Sequence, residues 1–334
     1  MAFTRIQGQH MAKQIISKAI KNDSVAHAYL FYGPESIGKK LTAIEFAKAL
    51  NCTASLPGDS CDACPSCRKI EQRIHPDFFL LEPTKTTATA KEGAIRIDEI
   101  RELQKKLGLQ PYEGKKKVAV IDSAESMNLQ AGNSFLKTLE EPTPSTVLIL
   151  IASNLHQLLP TVISRCQRVQ FTPLPVSSMQ EVLRSQGDIE PAELDLRAAH
   201  SRGQVSRALD YNTDESNQQR HELVALIESV SLDQAEVVFE WSRTWSKQTD
   251  KLSAILDHLM SLLRDLAFLK TGGNIKNLYS MDLAAKLKPL TAKKTLPEIL
   301  NMFDSVQQTK YALLANANTQ LSLENMLLRF CDAA

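Results

Sequence analysis

No stretch of this chain approaches the ~18 consecutive apolar residues that a membrane-spanning helix needs. Its first twenty residues also lack the apolar core of a secretion signal. A soluble, cytoplasmic protein is the expectation. Charge of either sign is not in excess: 39 Lys and Arg stand against 38 Asp and Glu, a formal +1. Bulk charge therefore argues for no nucleic-acid or membrane partner, and any such contact has to come from a local patch. There is no internal repeat and no low-complexity tract. The length, 334 residues, allows two or three domains and a large core.

Cysteine is sparse, six in all, but four bunch as Cys52, Cys61, Cys64 and Cys67. In a cytosolic chain such bunching favours a metal over disulfides. Two overlapping C-x2-C steps with a fourth thiol nearby suit a closed tetrahedral zinc site of four thiolates. Pro57-Gly58-Asp59-Ser60 lets the chain turn between ligands. No histidine or carboxylate has a matching role, so a structural zinc is expected rather than a catalytic one.

Ahead of the cysteines lies Gly33-Pro34-Glu35-Ser36-Ile37-Gly38-Lys39-Lys40, between the apolar run 28–32 and a helical pattern over 41–50. Strand, glycine-bounded loop and helix in that order make a phosphate-cradling P-loop, with Gly33, Gly38 and Lys39 in place. Its last position departs from the pattern. A P-loop carries Ser or Thr there to ligate Mg²⁺, whereas Lys40 offers only ammonium donors. Thr42 cannot substitute, being turned about 200° away on the helix. Binding of ATP and Mg²⁺ is thus in doubt on the sequence. The lead-in, helical over 11–20, either caps the first strand or packs beside a nucleotide base.

Further strands are expected at 78–81, 118–122, 146–151 and around Val169 and Phe171, alternating with helices, which implies an α/β fold with a parallel, doubly wound sheet. Residues 84–93 read as a loop, and Asp98 as the cap of a helix carrying Ile100, Leu103 and Leu107 on one face. Lys115, Lys116 and Lys117 read mainly as a solvated strand entrance. Asp122 ends an apolar strand where such ATPases hold Mg²⁺. The next residue, Ser123, stands where a hydrolytic enzyme commonly has the glutamate that orients water. Glu125 is expected to point elsewhere. Pro173 and Pro175 mark a joint, and the remainder is helical. Core stripes are expected through Leu252, Ile255, Leu259, Leu262, Leu266 and Leu269, through Leu296, Leu300, Phe303 and Val306, and through Leu321, Leu323, Leu327 and Leu328.

Four features together resemble the clamp-loader branch of the AAA+ ATPases, as found in bacterial DNA polymerase III. They are the cysteine insertion (52–67), Lys137-Thr138-Leu139-Glu140-Glu141-Pro142 within 133–142, Ser164-Arg165-Cys166, and Gly203-Gln204-Val205-Ser206-Arg207-Ala208-Leu209. The resemblance covers the whole chain. It implies a RecA-like AAA+ domain over 1–172, a small helical lid over 173–212, and a helical collar over 213–334 that assembles a ring. It implies gamma/tau-like motor subunits and a clamp-opening delta subunit as partners, with the sliding clamp and primed DNA met through the complex. It also implies that Arg165 enters the ATP site of a neighbouring subunit as an arginine finger. Motor subunits carry a lid arginine three residues after the glycine; here that position is Ser206, and Arg207 faces about 100° away. With Lys40 and Ser123, this makes three replacements, and a non-hydrolysing subunit of the polymerase holoenzyme is the expectation. The alternatives are a working ATPase with an unusual metal site and a zinc-dependent nucleic-acid binder. The absence of aromatic–basic interleaving around the cysteines weighs against the latter.

Overall fold

The computed structural model describes residues 2–54, 58–84, 93–187, 189–209, 213–229, 235–315 and 317–332. Two compact units are present: residues 1–185 with 203–206, and 186–202 with 207–334. The stretch 173–212 is shared between them. Of the expected turn at 57–60 and loop at 84–93, residue 57 and residues 85–92 lie outside the described residues.

The first unit runs α1 (His10–Lys21), β1 (Ala28–Tyr32), α2 (Lys39–Asn51), α3 (Pro65–Glu71), β2 (Phe78–Leu81), α4 (Ile97–Leu107), β3 (Lys117–Ile121), α5 (Leu129–Glu140), β4 (Thr146–Ala152), α6 (Pro160–Ile163), β5 (Gln167–Gln170) and α7 (Val176–Gln186). The strands pair in parallel in the order β2-β3-β4-β1-β5. Successive side chains of a strand point to opposite faces, and here both faces are covered by helices. Tyr29, Phe31, Val118, Val120, Ile149 and Ile151 join the core with Ile16 of α1 and Phe46 of α2. Leu30, Ala119, Ile121, Leu148 and Leu150 join the opposite core with Ile100 of α4 and Phe135 of α5. Burial on both faces is why these strands are continuous apolar runs with no polar alternation.

Two local expectations need correcting. Asp98 is not the cap of α4 but sits in its first turn; the cap position is Arg96, whose N–H is held by the Glu99 carboxylate at 2.7 Å. The negative charge still lies where the helix dipole favours it. Nor is the lysine run simply solvated. Lys117 is buried and its Nζ donates to the Lys106 carbonyl at 2.5 Å, while Lys115 Nζ donates to the Cys52 carbonyl at 2.9 Å. A lysine entering an inner strand must bury its stem, and its ammonium then takes the nearest carbonyl.

The second unit is helical: α8 (Pro191–His200), α9 (Val205–Leu209, whose first two residues belong with the first unit), α10 (Thr213–Ser229), α11 (Ala235–Lys247), α12 (Thr249–Lys270), α13 (Ala284–Lys293), α14 (Leu296–Leu314) and α15 (Thr319–Asp332). Leu252, Ile255, Leu259, Leu262 and Leu266 of α12 form the centre of its core. Gly272 ends that helix at φ 82°, and the Gly273 N–H returns to the Phe268 carbonyl at 2.8 Å. The other two stripes are rotated from expectation. On α14 Ile299, Met302 and Val306 are buried and Leu300 is about half exposed; on α15 Leu323 and Leu327 are buried while Leu321 lies at the surface. Neighbouring apolar residues on a helix sit 100° apart, so only packing partners decide which of them faces inward.

A polar group is enclosed in this unit. The guanidinium of Arg220, 1% exposed, donates to His200 Nε2 at 2.5 Å and to Asp282 Oδ1 at 3.0 Å. His200 Nδ1 lies 3.0 Å from the Leu196 carbonyl. A ring that accepts through Nε2 and donates through Nδ1 is neutral. Burial first, and Arg220 next, push His200 down to about 4, and the same two causes do the same for His258. The fold thus holds the neutral rings, so this stability is present above the ordinary histidine range and is lost as pH falls through about 6.5 toward 4. Thermal denaturation followed by circular dichroism should show a falling midpoint over that window, worth up to about 3 kcal/mol per ring. A flat profile would contradict the two half-buried neutral rings.

Candidate nucleotide cleft, cysteine cluster and surface arginine

A parallel sheet brings the C-terminal ends of its strands to one edge, and the loops there carry the candidate groups. The loop after β1 has Gly33 at φ 143° and Gly38 at φ 94°. A Cβ on Gly33 would stand 2.2 Å from the Phe171 carbonyl oxygen. Only glycine fits there, and the loop curls over the N-terminus of α2 as a P-loop does. The buried Gln9 steadies it, donating to the carbonyls of Ile37 (3.1 Å) and Thr172 (2.7 Å). The Val205 N–H, opening the α9 segment, donates to the Ser36 carbonyl at 2.7 Å. The cleft encloses about 310 Å³ and is lined among others by Lys39, Lys40, Asp122, Ser123 and Ser153.

Lys39 is buried and turned back on its own loop, its Nζ 2.5 Å from the carbonyls of both Gly33 and Pro34. Burial lowers its pKa, with Glu125, Glu35 and Asp122 partly offsetting the effect. Lys40 Nζ pairs with Asp122 Oδ2 at 3.0 Å and with Glu82. Asp122 Oδ1 accepts the Ser123 N–H at 3.0 Å, so both of its oxygens are engaged. Glu125 differs from expectation. Ser123 adopts a left-handed backbone, φ 52°, and the short turn Ala124–Ser126 folds back over the end of β4. Glu125 Oε1 accordingly accepts the N–H of Ser153, a cleft residue, at 2.8 Å, instead of pointing away.

Arg165 follows the short α6 and is 35% exposed at the side chain. Its Nη1 donates to the Thr161 carbonyl at 2.9 Å, and its Nη2 lies 2.6 Å from Glu140 Oε1. The neighbouring Cys166 is half-buried, and desolvation pushes its thiol up to about 12, which leaves it inert. Ser206 is exposed, and Arg207 pairs with Asp257 Oδ2 at 2.7 Å within the helical unit.

The sulfurs of Cys52, Cys61, Cys64 and Cys67 all lie within 4.8 Å of one another. Four thiolates ~2.3 Å from one ion would stand ~3.8 Å apart, so the cluster suits zinc. Two backbone donors point at it: the Cys64 N–H at Cys61 Sγ (3.3 Å) and the Cys67 N–H at Cys64 Sγ (3.4 Å). Such bonds favour thiolate over thiol. When bound, the metal would tie this loop together; with four protein sulfurs around it, no position is left for a substrate. The loop is also fixed to α2. Lys48, 1% exposed, lies 2.8 Å from Glu45 and 2.5 Å from Asp62, between the cysteines, and 2.8 Å from Glu71 of α3.

Comparison with known proteins identifies the lineage. The family described as DNA polymerase III, delta subunit, matches residues 8–175, and its C-terminal counterpart matches residues 214–332. The DNA polymerase III subunit delta' of Pseudomonas aeruginosa is 32% identical, covering 92% of each chain. That of Bacillus subtilis is 29% identical, covering 96% of this chain and 95% of its own. This chain belongs to the delta' family of DNA polymerase III subunits. Similarity extends at lower coverage to DNA polymerase III subunit tau of Bacillus subtilis, 31% identical over 62% of this chain and 36% of that protein. Among the described residues, no helix is long and apolar enough to cross a membrane.

Some groups at these delta'-family sites escaped the sequence reading. Glu82 was missed because it follows a strand with no motif of its own. Parallel register could have found it, since Leu81 pairs with Ile121 and the residues just beyond, Glu82 and Asp122, are therefore neighbours. Lys48 and Glu45 look like ordinary surface residues of a helix, and only packing encloses them.

Replacing one ligand should report on the metal. Cys64→Ser should abolish stoichiometric zinc in elemental analysis and lower the thermal midpoint, since metal binding of this kind stabilises by on the order of 10 kcal/mol. Wild-type protein purified without zinc would overturn the assignment.

Proposed function

We propose that this chain is the non-hydrolysing member of a clamp-loader ring, working through its neighbour's ATP site and not its own. In this reading it assembles with gamma/tau-like motor subunits and a clamp-opening delta subunit through its helical C-terminal region. The assembled ring loads a sliding clamp onto primed DNA in an ATP-dependent way. Arg165 serves the adjacent motor subunit in trans. The four cysteines hold a structural zinc.

One observation carries the reading: the residue at the P-loop's metal-ligating position is an ammonium already bonded to Asp122. In P-loop ATPases a hydroxyl there helps hold Mg²⁺ against the phosphates, and an ammonium in its place instead occupies the aspartate that shares the metal. Three further features support it. Ser123 supplies no carboxylate to orient water. Lys39 has its donors on its own loop. Arg207 is engaged with Asp257 of its own unit. Glu125 is held against β4 by the Ser153 N–H and does not line the cleft.

Arg165 suits a role outside its own subunit. It lies at the surface, and a partly exposed ion pair with Glu140 contributes little to stability, ~0–1 kcal/mol. A competing triphosphate could therefore draw the guanidinium away at small cost. A guanidinium that meets a γ-phosphate stabilises the charge that develops there, worth about 10³–10⁵ in rate for arginine fingers.

Two measurements test this. The isolated chain should turn over no ATP, and turnover that Lys39→Ala abolishes would favour a working ATPase instead. In a reconstituted loader, Arg165→Ala should leave assembly intact, as seen by gel filtration. It should also lower DNA-stimulated ATPase at the neighbouring site by at least about tenfold. Unchanged ATPase in that assembly would remove Arg165 from the mechanism.

A further inference from the structure

The groups at the mouth of the cleft pose an electrostatic problem. Parallel pairing of β2 and β3 brings Glu82 and Asp122 to adjacent positions on the same edge, and the Asp122 N–H donates to the Leu81 carbonyl at 2.9 Å. Two carboxylates this close repel unless a cation stands between them. A P-loop ATPase answers with Mg²⁺, held by the strand-end aspartate and the P-loop hydroxyl. Here the cation is part of the chain. Lys40 Nζ lies 3.0 Å from Asp122 Oδ2 and is also hydrogen-bonded to Glu82, whose other oxygen is 3.3 Å from Arg73 Nη1. Burial works against the Lys40 ammonium, but its bonds to Glu82 and Asp122 outweigh that and raise its pKa, so it stays charged.

We propose that Lys40 is a built-in substitute for the divalent metal, seated between Glu82 and Asp122, so that this cleft does not respond to Mg²⁺. The inference rests on the reading that the chain does not hydrolyse ATP and says how the site is kept from doing so. A missing hydroxyl would merely weaken a metal site, because water can take its place. A tethered ammonium competes for the same carboxylates at a high effective concentration. Mg²⁺ needs oxygen ligands at ~2.0–2.1 Å in octahedral array, and it would have to displace the ammonium and then endure its repulsion. The carboxylate pair itself is intact. Lys40→Thr should therefore do two things at once: expose Glu82 and Asp122 to a divalent ion, and restore the hydroxyl at the position from which a P-loop ligates it.

Binding of the fluorescent nucleotide mant-ADP to the full-length zinc-loaded chain tests this, in millimolar MgCl₂ and in EDTA. Wild type should give the same titration in both. Lys40→Thr should bind at least roughly tenfold more tightly with Mg²⁺ than without. Lys40→Met, which removes the charge and supplies no hydroxyl, should gain less. Unchanged zinc content and thermal midpoint would show the variants folded. A wild-type chain whose binding already strengthens with Mg²⁺ would overturn the proposal, and so would a folded Lys40→Thr that ignores the metal. Either result is separate from ATP turnover by the wild type, which would overturn the non-hydrolysing reading itself.

Discussion

Five strands running the same way place five C-terminal ends along one edge, and that edge decides what this molecule can do. The P-loop follows β1, Glu82 follows β2, Asp122 follows β3, Ser153 follows β4, and Phe171 follows β5. The approach of Phe171 to Gly33 leaves no room for a side chain there, and Gln9 ties the loop to Thr172. The cradle is therefore held by packing within the first unit.

The charges inside that cradle are internally balanced. Lys39 spends its donors on the loop that would otherwise present it to phosphate. Lys40 neutralises a carboxylate pair that would otherwise call for a metal. The same economy of partners holds elsewhere. Lys48 is enclosed with Glu45, Asp62 and Glu71, and it couples the cysteine loop to α2, the helix that opens at the P-loop. A buried ammonium with three carboxylates contributes less net stability than its contacts suggest, since each charge was desolvated first. It does fix the loop's position. Arg165 is partly exposed, as Lys40 is, and is held by the Glu140 carboxylate, the Thr161 carbonyl and, at 3.5 Å, the Ser164 hydroxyl.

Much of the first unit was legible beforehand. All five strands lie within a residue or two of their expected places; β1, β3 and β4 stand out as apolar runs because strands buried on both faces need uninterrupted apolar sequence, whereas the edge strand β5 buries only Val169. The P-loop and the cysteine cluster were legible for another reason: each packs its chemistry into a short span with fixed spacing. The misreadings do not share one cause. Asp98 lost the cap to Arg96 within its own turn, whereas Lys117, Leu300 and Leu321 are governed by packing from outside their own segments. Glu125 turned on the left-handed backbone at Ser123, which brought it against β4. The leucines turned on which helices pack beside them.

The sequence by itself determined that this is a parallel α/β unit followed by helices, that its P-loop lacks the metal-ligating hydroxyl, and that four thiols lie close enough for one ion. Those are properties of residue type and spacing, which local chain geometry converts directly into structure. Only the tertiary structure decided what became of the displaced groups. Lys40 meets Glu82 because two strands far from the P-loop in sequence pair beside each other. Register between such strands is set by the packing of the whole sheet, and no local pattern in either strand records it.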